Sequence, residues 1–130
     1  MAKAKADVST IKTYHAHVYF NGESKRRASA LRTKVKKSLG EGSGIKIGRW
    51  HDGPVGPHPC PMYLIWFTAQ KFSKVVPWLA LNRNGLSILV HPQLDEDVVA
   101  DHTDHAMWLG KPLKLRLHKF TGKPPEKRGF

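Results

Sequence analysis

Between Ile11 and Phe20 the chain reads IKTYHAHVYF, an alternation that an extended strand sorts onto two faces, with Tyr14, Ala16, Val18 and Phe20 on one and Thr13, His15, His17 and Tyr19 on the other. A helix would scatter the same residues around its axis. One face is suited to a core, and the other carries two histidines side by side. Any fold for this chain has to bury the first face and give the second a task.

The segments that follow alternate between helical and extended patterns. After Asn21-Gly22, Ala28, Leu31, Val35 and Leu39 recur at helical spacing until Gly40, which predicts an amphipathic helix over residues 23 to 39. Ile45 to Trp50 reads as a second strand and Met62 to Thr68 as a third, buried one. Between them HDGPVGPHPCP holds two glycines and four prolines in eleven residues, a stiff loop without regular structure. Phe72, Val75, Val76 and Leu79 give a second helix ending near Asn84-Gly85, with Pro77 expected to kink it or mark a fresh start. Leu86 to Val90 is a fourth strand, and Leu113 to His118 is expected as a fifth after the DHTDHAMWLG segment.

This order matches a split βαβ, or ferredoxin-like, βαββαβ plait: an α+β fold with an antiparallel sheet, here with an extra C-terminal strand. In that arrangement strand one is expected between strands three and four, parallel to the third and antiparallel to the fourth. His58, just before strand three, and His91, just after strand four, would then lie at one end of the sheet, beside His15 and His17. The 130 residues fit one domain, placed at residues 11 to 120 between a flexible N-terminus (1 to 10) and a basic flexible tail (121 to 130).

A formal charge of +12 raises the question of nucleic-acid binding, but seven of the 22 basic residues lie between Lys25 and Lys37 and seven lie from Lys111 onward, so the excess is dispersed. The first cluster sits on the wet face of the predicted helix. The single cysteine, Cys60, can form no internal disulfide and reads as a packing residue. No apolar run is long enough to cross a bilayer, and MAKAKADVST lacks the apolar stretch of a secretory signal, so a cytoplasmic location is expected.

Eight histidines fall in short motifs rather than in a tag-like run. A lone histidine is more often a surface or core residue than a ligand. Three brought to one neighbourhood by distant segments are different, because imidazoles with open positions beside them make a catalytic divalent-metal site. His17, His58 and His91 are the expected metal ligands. Asp101 and Asp104 are candidates for a third ligand or for orienting a histidine, with capping of a short helix the favoured role.

Four segments, YHAHVYF (14 to 20), GPVGPHPCPMY (53 to 63), VPWLALNRNGLSILVHP (76 to 92) and DHTDHAMWLG (101 to 110), together resemble the DOPA 4,5-dioxygenase family in order and over nearly the whole domain. Gln93-Leu94 after the HP pair departs from the expected turn. The resemblance implies a non-haem Fe(II) enzyme that opens the ring of L-DOPA or a related catechol with O2, although zinc or another divalent metal could occupy such a site. It also implies His15 or His105 as acid/base and Tyr19 or Arg83 as substrate contacts. The competing readings are a non-catalytic metal or small-molecule binding protein of the same fold and a basic nucleic-acid-binding module. No specific nucleic acid and no membrane are expected as partners. A homodimer is expected, packed through a sheet face that Leu89 and Trp66 would otherwise expose.

Overall fold

The computed structural model describes residues 7 to 120. The expected basic tail, 121 to 130, and the first six residues of the expected N-terminal segment lie outside them. Val8–Thr10 forms a 3-10 turn, capped by the Asp7 carboxylate.

The regular elements are β1 (Thr13–Tyr19), α1 (Lys25–Ser38), β2 (Ile45–His51), β3 (Met62–Thr68), α2 (Phe72–Asn82), β4 (Ile88–Pro92), α3 (Val98–His102) and β5 (Met107–Leu109). They build the expected α+β plait, one sheet in the order β2-β3-β1-β4-β5 with every neighbouring pair antiparallel.

The apolar face of β1 decides the packing. Ala16, Val18 and Phe20 join Ile65, Phe67, Ile88 and Val90 from its neighbours, and Ala28, Leu31 and Val35 of α1 with Val75 and Leu79 of α2 close over them. Each fully buried aliphatic side chain contributes roughly 1.5 to 3 kcal/mol through loss of apolar surface from water. Tyr63 is buried in this layer and satisfies its hydroxyl by donating to the Ala28 carbonyl, 3.1 Å away. Ahead of α1, the Asn21 side chain accepts from the backbone N–H groups of Glu23 and Ser24, which starts the helix without a capping bond from Ser24. Pro77 does not start a fresh helix: α2 runs from Phe72 to Asn82 with Pro77 inside it, on the exposed side.

Three expectations need correction. First, β1 is antiparallel to β3 as well as to β4, because each right-handed crossover skips one place and the hairpin strand filling that place runs the opposite way. The start of β3 therefore lies beside Tyr19 and the end of β4 beside Tyr14, at opposite ends of the sheet. Second, β4 begins and ends two residues later than expected, so His91 lies within it, directly across from His15. Third, the fifth strand is Met107–Leu109, paired to β4, and Leu113 to His118 forms no strand. Gly110, with φ of 82°, turns the chain out of the sheet, and the alternation of Leu113 and Leu115 serves burial instead of pairing.

That burial covers the second face. Tyr19, Met62 and Leu89 are packed by Val55 and Cys60 of the proline-rich loop and by Ala106, Trp108, Leu113 and Leu115 from the C-terminal side. Leu89 is thus covered by its own chain, which removes it as a reason for a homodimer. Trp66 is half-buried, with the Lys46 ammonium 5.5 Å above its ring.

Candidate metal centre

Beside this second apolar cluster the same face carries five histidines. His15 and His17 stand at alternate positions of β1, and His91 of β4 pairs in register with His15. His58 comes from the stiff loop, where its N–H donates to the Val55 carbonyl at 3.0 Å, closing a tight turn. His102 is the last residue of α3. His15, His17, His58 and His91 are all buried, and His102 is half-buried.

His17 is the pivot. Its Nε2 lies 3.0 Å from Nε2 of His91, and its ring centroid is 4.1 Å from that of His58. The His91 and His102 rings are 4.0 Å apart. Among the described residues, two groups bring ligand nitrogens within 4.8 Å of one another, His15 with His17 and His91, and His17 with His58 and His102. The expected trio of His17, His58 and His91 is divided between them.

The outer nitrogens define what the inner ones can do. His91 Nδ1 lies 2.8 Å from the Pro92 carbonyl and His102 Nδ1 lies 2.7 Å from the Val98 carbonyl. Since a carbonyl only accepts, both Nδ1 atoms carry the proton, and the neutral His91 ring presents its Nε2 lone pair to His17. This is the arrangement that prepares imidazoles for a cation. His58 Nδ1 is engaged by the Tyr19 hydroxyl at 2.6 Å. His17 Nδ1 is buried without a hydrogen-bond partner.

Burial is the largest cause that drives the imidazoles toward the neutral form, followed by mutual repulsion. It holds His17 and His91 well below the usual histidine range and His58 at about 3. His17, His58 and His91, neutral and crowded together, with the His91 Nε2 lone pair turned inward and the His17 Nδ1 without a partner, are poor packing but suit a divalent cation. A separation of 3.0 Å is also what adjacent ligands of an octahedral ion show at bond lengths of about 2.1 Å.

The remaining sequence candidates are spread around this centre. Tyr19 is part of it through His58, and burial pushes its phenol well above the usual range, so it remains protonated. His105, half-buried, follows α3 with its N–H on the Ala100 carbonyl and belongs to neither trio. Arg83 lies at the end of α2, donating to the Leu86 carbonyl at 3.0 Å, away from the His91 end of β4. The cap of α3 is Asp97, which accepts from the Ala100 N–H, and neither Asp101 nor Asp104 fills that role. Asp101 is buried and accepts from Leu94 and Asp95 N–H through Oδ2, while Asp104 is exposed.

Two residues of this region, His102 and Arg116, are not among the ligands and contacts expected from sequence. The signal for His102 is the acid run that ends at Asp97, since a cap there sets the phase of α3. Arg116 had no local signal, because only the path of the C-terminal segment brings it to the loop, where its N–H donates to the Pro57 carbonyl at 2.7 Å.

A ferredoxin-like plait with a buried imidazole cluster on one sheet face is a scaffold that could hold a divalent metal ion, and the histidines stand where an RNA-binding plait would carry its aromatic residues. The comparisons give that class a family. Residues 14 to 119 match the model of the Dopa 4,5-dioxygenase family, and the chain belongs to that family. A DOPA 4,5-dioxygenase of Amanita muscaria is 36% identical over 114 residues, 84% of this chain and 50% of that protein. An uncharacterized 21.2 kDa protein of Botryotinia fuckeliana is 36% identical over 111 residues, 80% of this chain and 61% of that protein. The chain thus spans half to three fifths of the length of these relatives. A crystal structure from Nostoc punctiforme, provisionally assigned as a dioxygenase, superposes with a TM-score of 0.81 at 42% identity, covering 89% of this chain and 96% of that one. No helix among the described residues is long and apolar enough to cross a membrane.

Proposed function

We propose that the chain is a non-haem Fe(II) dioxygenase that cleaves the ring of L-DOPA or a related catechol next to its hydroxyl pair, placing both atoms of O2 in the ring-opened product. The observation that carries this reading is the facing pair of Nε2 atoms on His17 and His91, 3.0 Å apart in a buried, all-imidazole setting. His15 completes the buried trio as third ligand. His58, expected from sequence as a ligand, then exchanges roles with His15 and lines the substrate side with His102.

A bound ferrous ion would supply the electronic route by which triplet O2 reacts with a closed-shell catechol. The protein's own groups supply positioning and proton transfer. His58 Nε2 is the base for a catechol hydroxyl. As the ring takes that proton, Nδ1–H donates to the Tyr19 oxygen, 2.6 Å away, and the imidazolium can return the proton when the O–O bond breaks. Burial keeps His58 neutral in the metal-free protein, so its Nε2 lone pair is free, and the negative charge of a bound catecholate would favour its imidazolium form. Trp108, stacked 5.7 Å from Tyr19, and Phe120, 5.0 Å from the His102 ring, limit water around that exchange.

The test is anaerobic loading with Fe(II), addition of L-DOPA and then air, following O2 uptake and a new yellow chromophore. One O2 consumed per ring-opened product is expected. Stoichiometric iron with neither O2 uptake nor colour, for L-DOPA and simpler catechols alike, rejects the reaction.

A further inference from the structure

A divalent ion held by either imidazole trio would meet no carboxylate among its ligands. Neither imidazole trio contains an acid, and Asp101, the buried carboxyl, turns Oδ2 away to the Leu94 and Asp95 N–H groups. A divalent ion on neutral imidazoles keeps its full charge, so the ligand that completes such a centre has to be anionic. A catechol that has lost one proton brings one negative charge, which leaves room for another.

A second cation stands at the same place. The Arg116 backbone N–H donates to the Pro57 carbonyl at 2.7 Å, and its side-chain Nη2 donates to the Gly56 carbonyl at 3.0 Å, which ties the residue to the two positions that precede His58. Its charge is among those felt by the His58 imidazole. Both of these partners are neutral carbonyls. The Nε–H is buried and meets no acceptor, a condition that costs roughly 1 to 3 kcal/mol unless a ligand relieves it. Aromatic groups flank the same region, Tyr19 with Trp108 and His102 with Phe120.

We propose that Arg116 is a substrate-binding residue that takes the carboxylate of a catechol-bearing acid, an aryl alkanoate or aryl amino acid, while the ring hydroxyls face His17 and His91. The planar guanidinium fork suits a carboxylate better than a neutral ring substituent. This deepens the catechol reading above and rests on it for the placement of the ring. The structural alternative is that Arg116 only ties the C-terminal segment to the proline-rich loop.

The two are separated by Arg116→Gln and Arg116→Lys, each compared with the wild type on a carboxylated catechol, L-DOPA or 3,4-dihydroxyphenylacetate, and on 4-methylcatechol. Anaerobic binding to the iron-loaded protein is read by tryptophan fluorescence, and turnover by O2 uptake. Arg116→Gln is expected to raise Kd and KM for the carboxylated catechols about tenfold or more while changing those for 4-methylcatechol less than about twofold, with partial recovery in Arg116→Lys. Equal loss on both kinds of catechol, or no loss on either, overturns the assignment. A wild type that prefers the carboxylated ligands through Arg116 yet forms no ring-opened product would sink the reaction and leave Arg116 standing. Product formed without that preference would do the reverse, and wild-type protein that binds no carboxylated catechol overturns the Arg116 assignment directly.

Discussion

The two faces of the sheet are built from the same strands by opposite rules. On the helix side, Ala16, Val18, Ile65, Phe67, Ile88 and Val90 lose apolar surface to water and need nothing beyond shape. On the other side, the alternate residues of the same strands bring together His15, His17 and His91; burial keeps His17 and His91 neutral and leaves the His17 Nδ1 without a hydrogen-bond partner. The first face provides stability. The second draws on it, in the way that a preorganised site depends on a rigid support.

Substitutions on the two faces should therefore fail differently. His17→Ala is expected to abolish stoichiometric iron binding and turnover while leaving the metal-free fold intact, since its Nδ1 is an unpaired buried atom. Ile65→Ala, on the helix side, should cost about 2 to 5 kcal/mol of stability yet leave iron per folded molecule unchanged. Metal analysis and denaturant melts on both variants decide the matter. Loss of iron from folded Ile65→Ala, or its full retention by His17→Ala, would break the division.

Acid should expose the same contrast in the metal-free protein. Unfolded His58 takes up its proton near 6.5, whereas in the folded chain burial delays protonation until about 3. Between those values the unfolded state binds more protons, so stability falls as the pH is lowered, by up to about 1.4 kcal/mol per pH unit for each such histidine. His17 and His91 act with the same sign. His58→Ala should remove one histidine's share of that slope, measurable by denaturant titrations across the window. An unchanged slope would mean that His58 is not held neutral.

The smallest effect on stability is expected from the loop. Pro57, buried beside His58, and Pro59 after it restrict the backbone that presents this imidazole. Replacing both by alanine should weaken iron affinity and turnover several-fold with little change in the melting of the metal-free protein. Lower stability with unchanged iron affinity and turnover would instead make the loop an ordinary stiff connection.

The β1 alternation contains both faces before any folding, and period-2 and period-3.6 patterns placed α1, β2, β3 and α2 to within a residue or two at most ends. The family and the plait were legible because several motifs stand in order along the chain. Although β1 is antiparallel to β3, which puts the start of β3 and the end of β4 at opposite ends of the sheet, His58 and His91 still meet around His17, since the loop reaches along the face from one end while His91 lies in β4 near the other.

What sequence determined by itself is thus the sorting of side chains, a local property of backbone period. The division of the histidines into two trios, the arrival of His102, the tether of Arg116 to the Gly56-Pro57 carbonyls and the covering of Leu89 were decided only by tertiary structure. Each depends on where segments far apart in the chain come to rest against one another, and neither hydrophobic period nor turn chemistry encodes a distance between them.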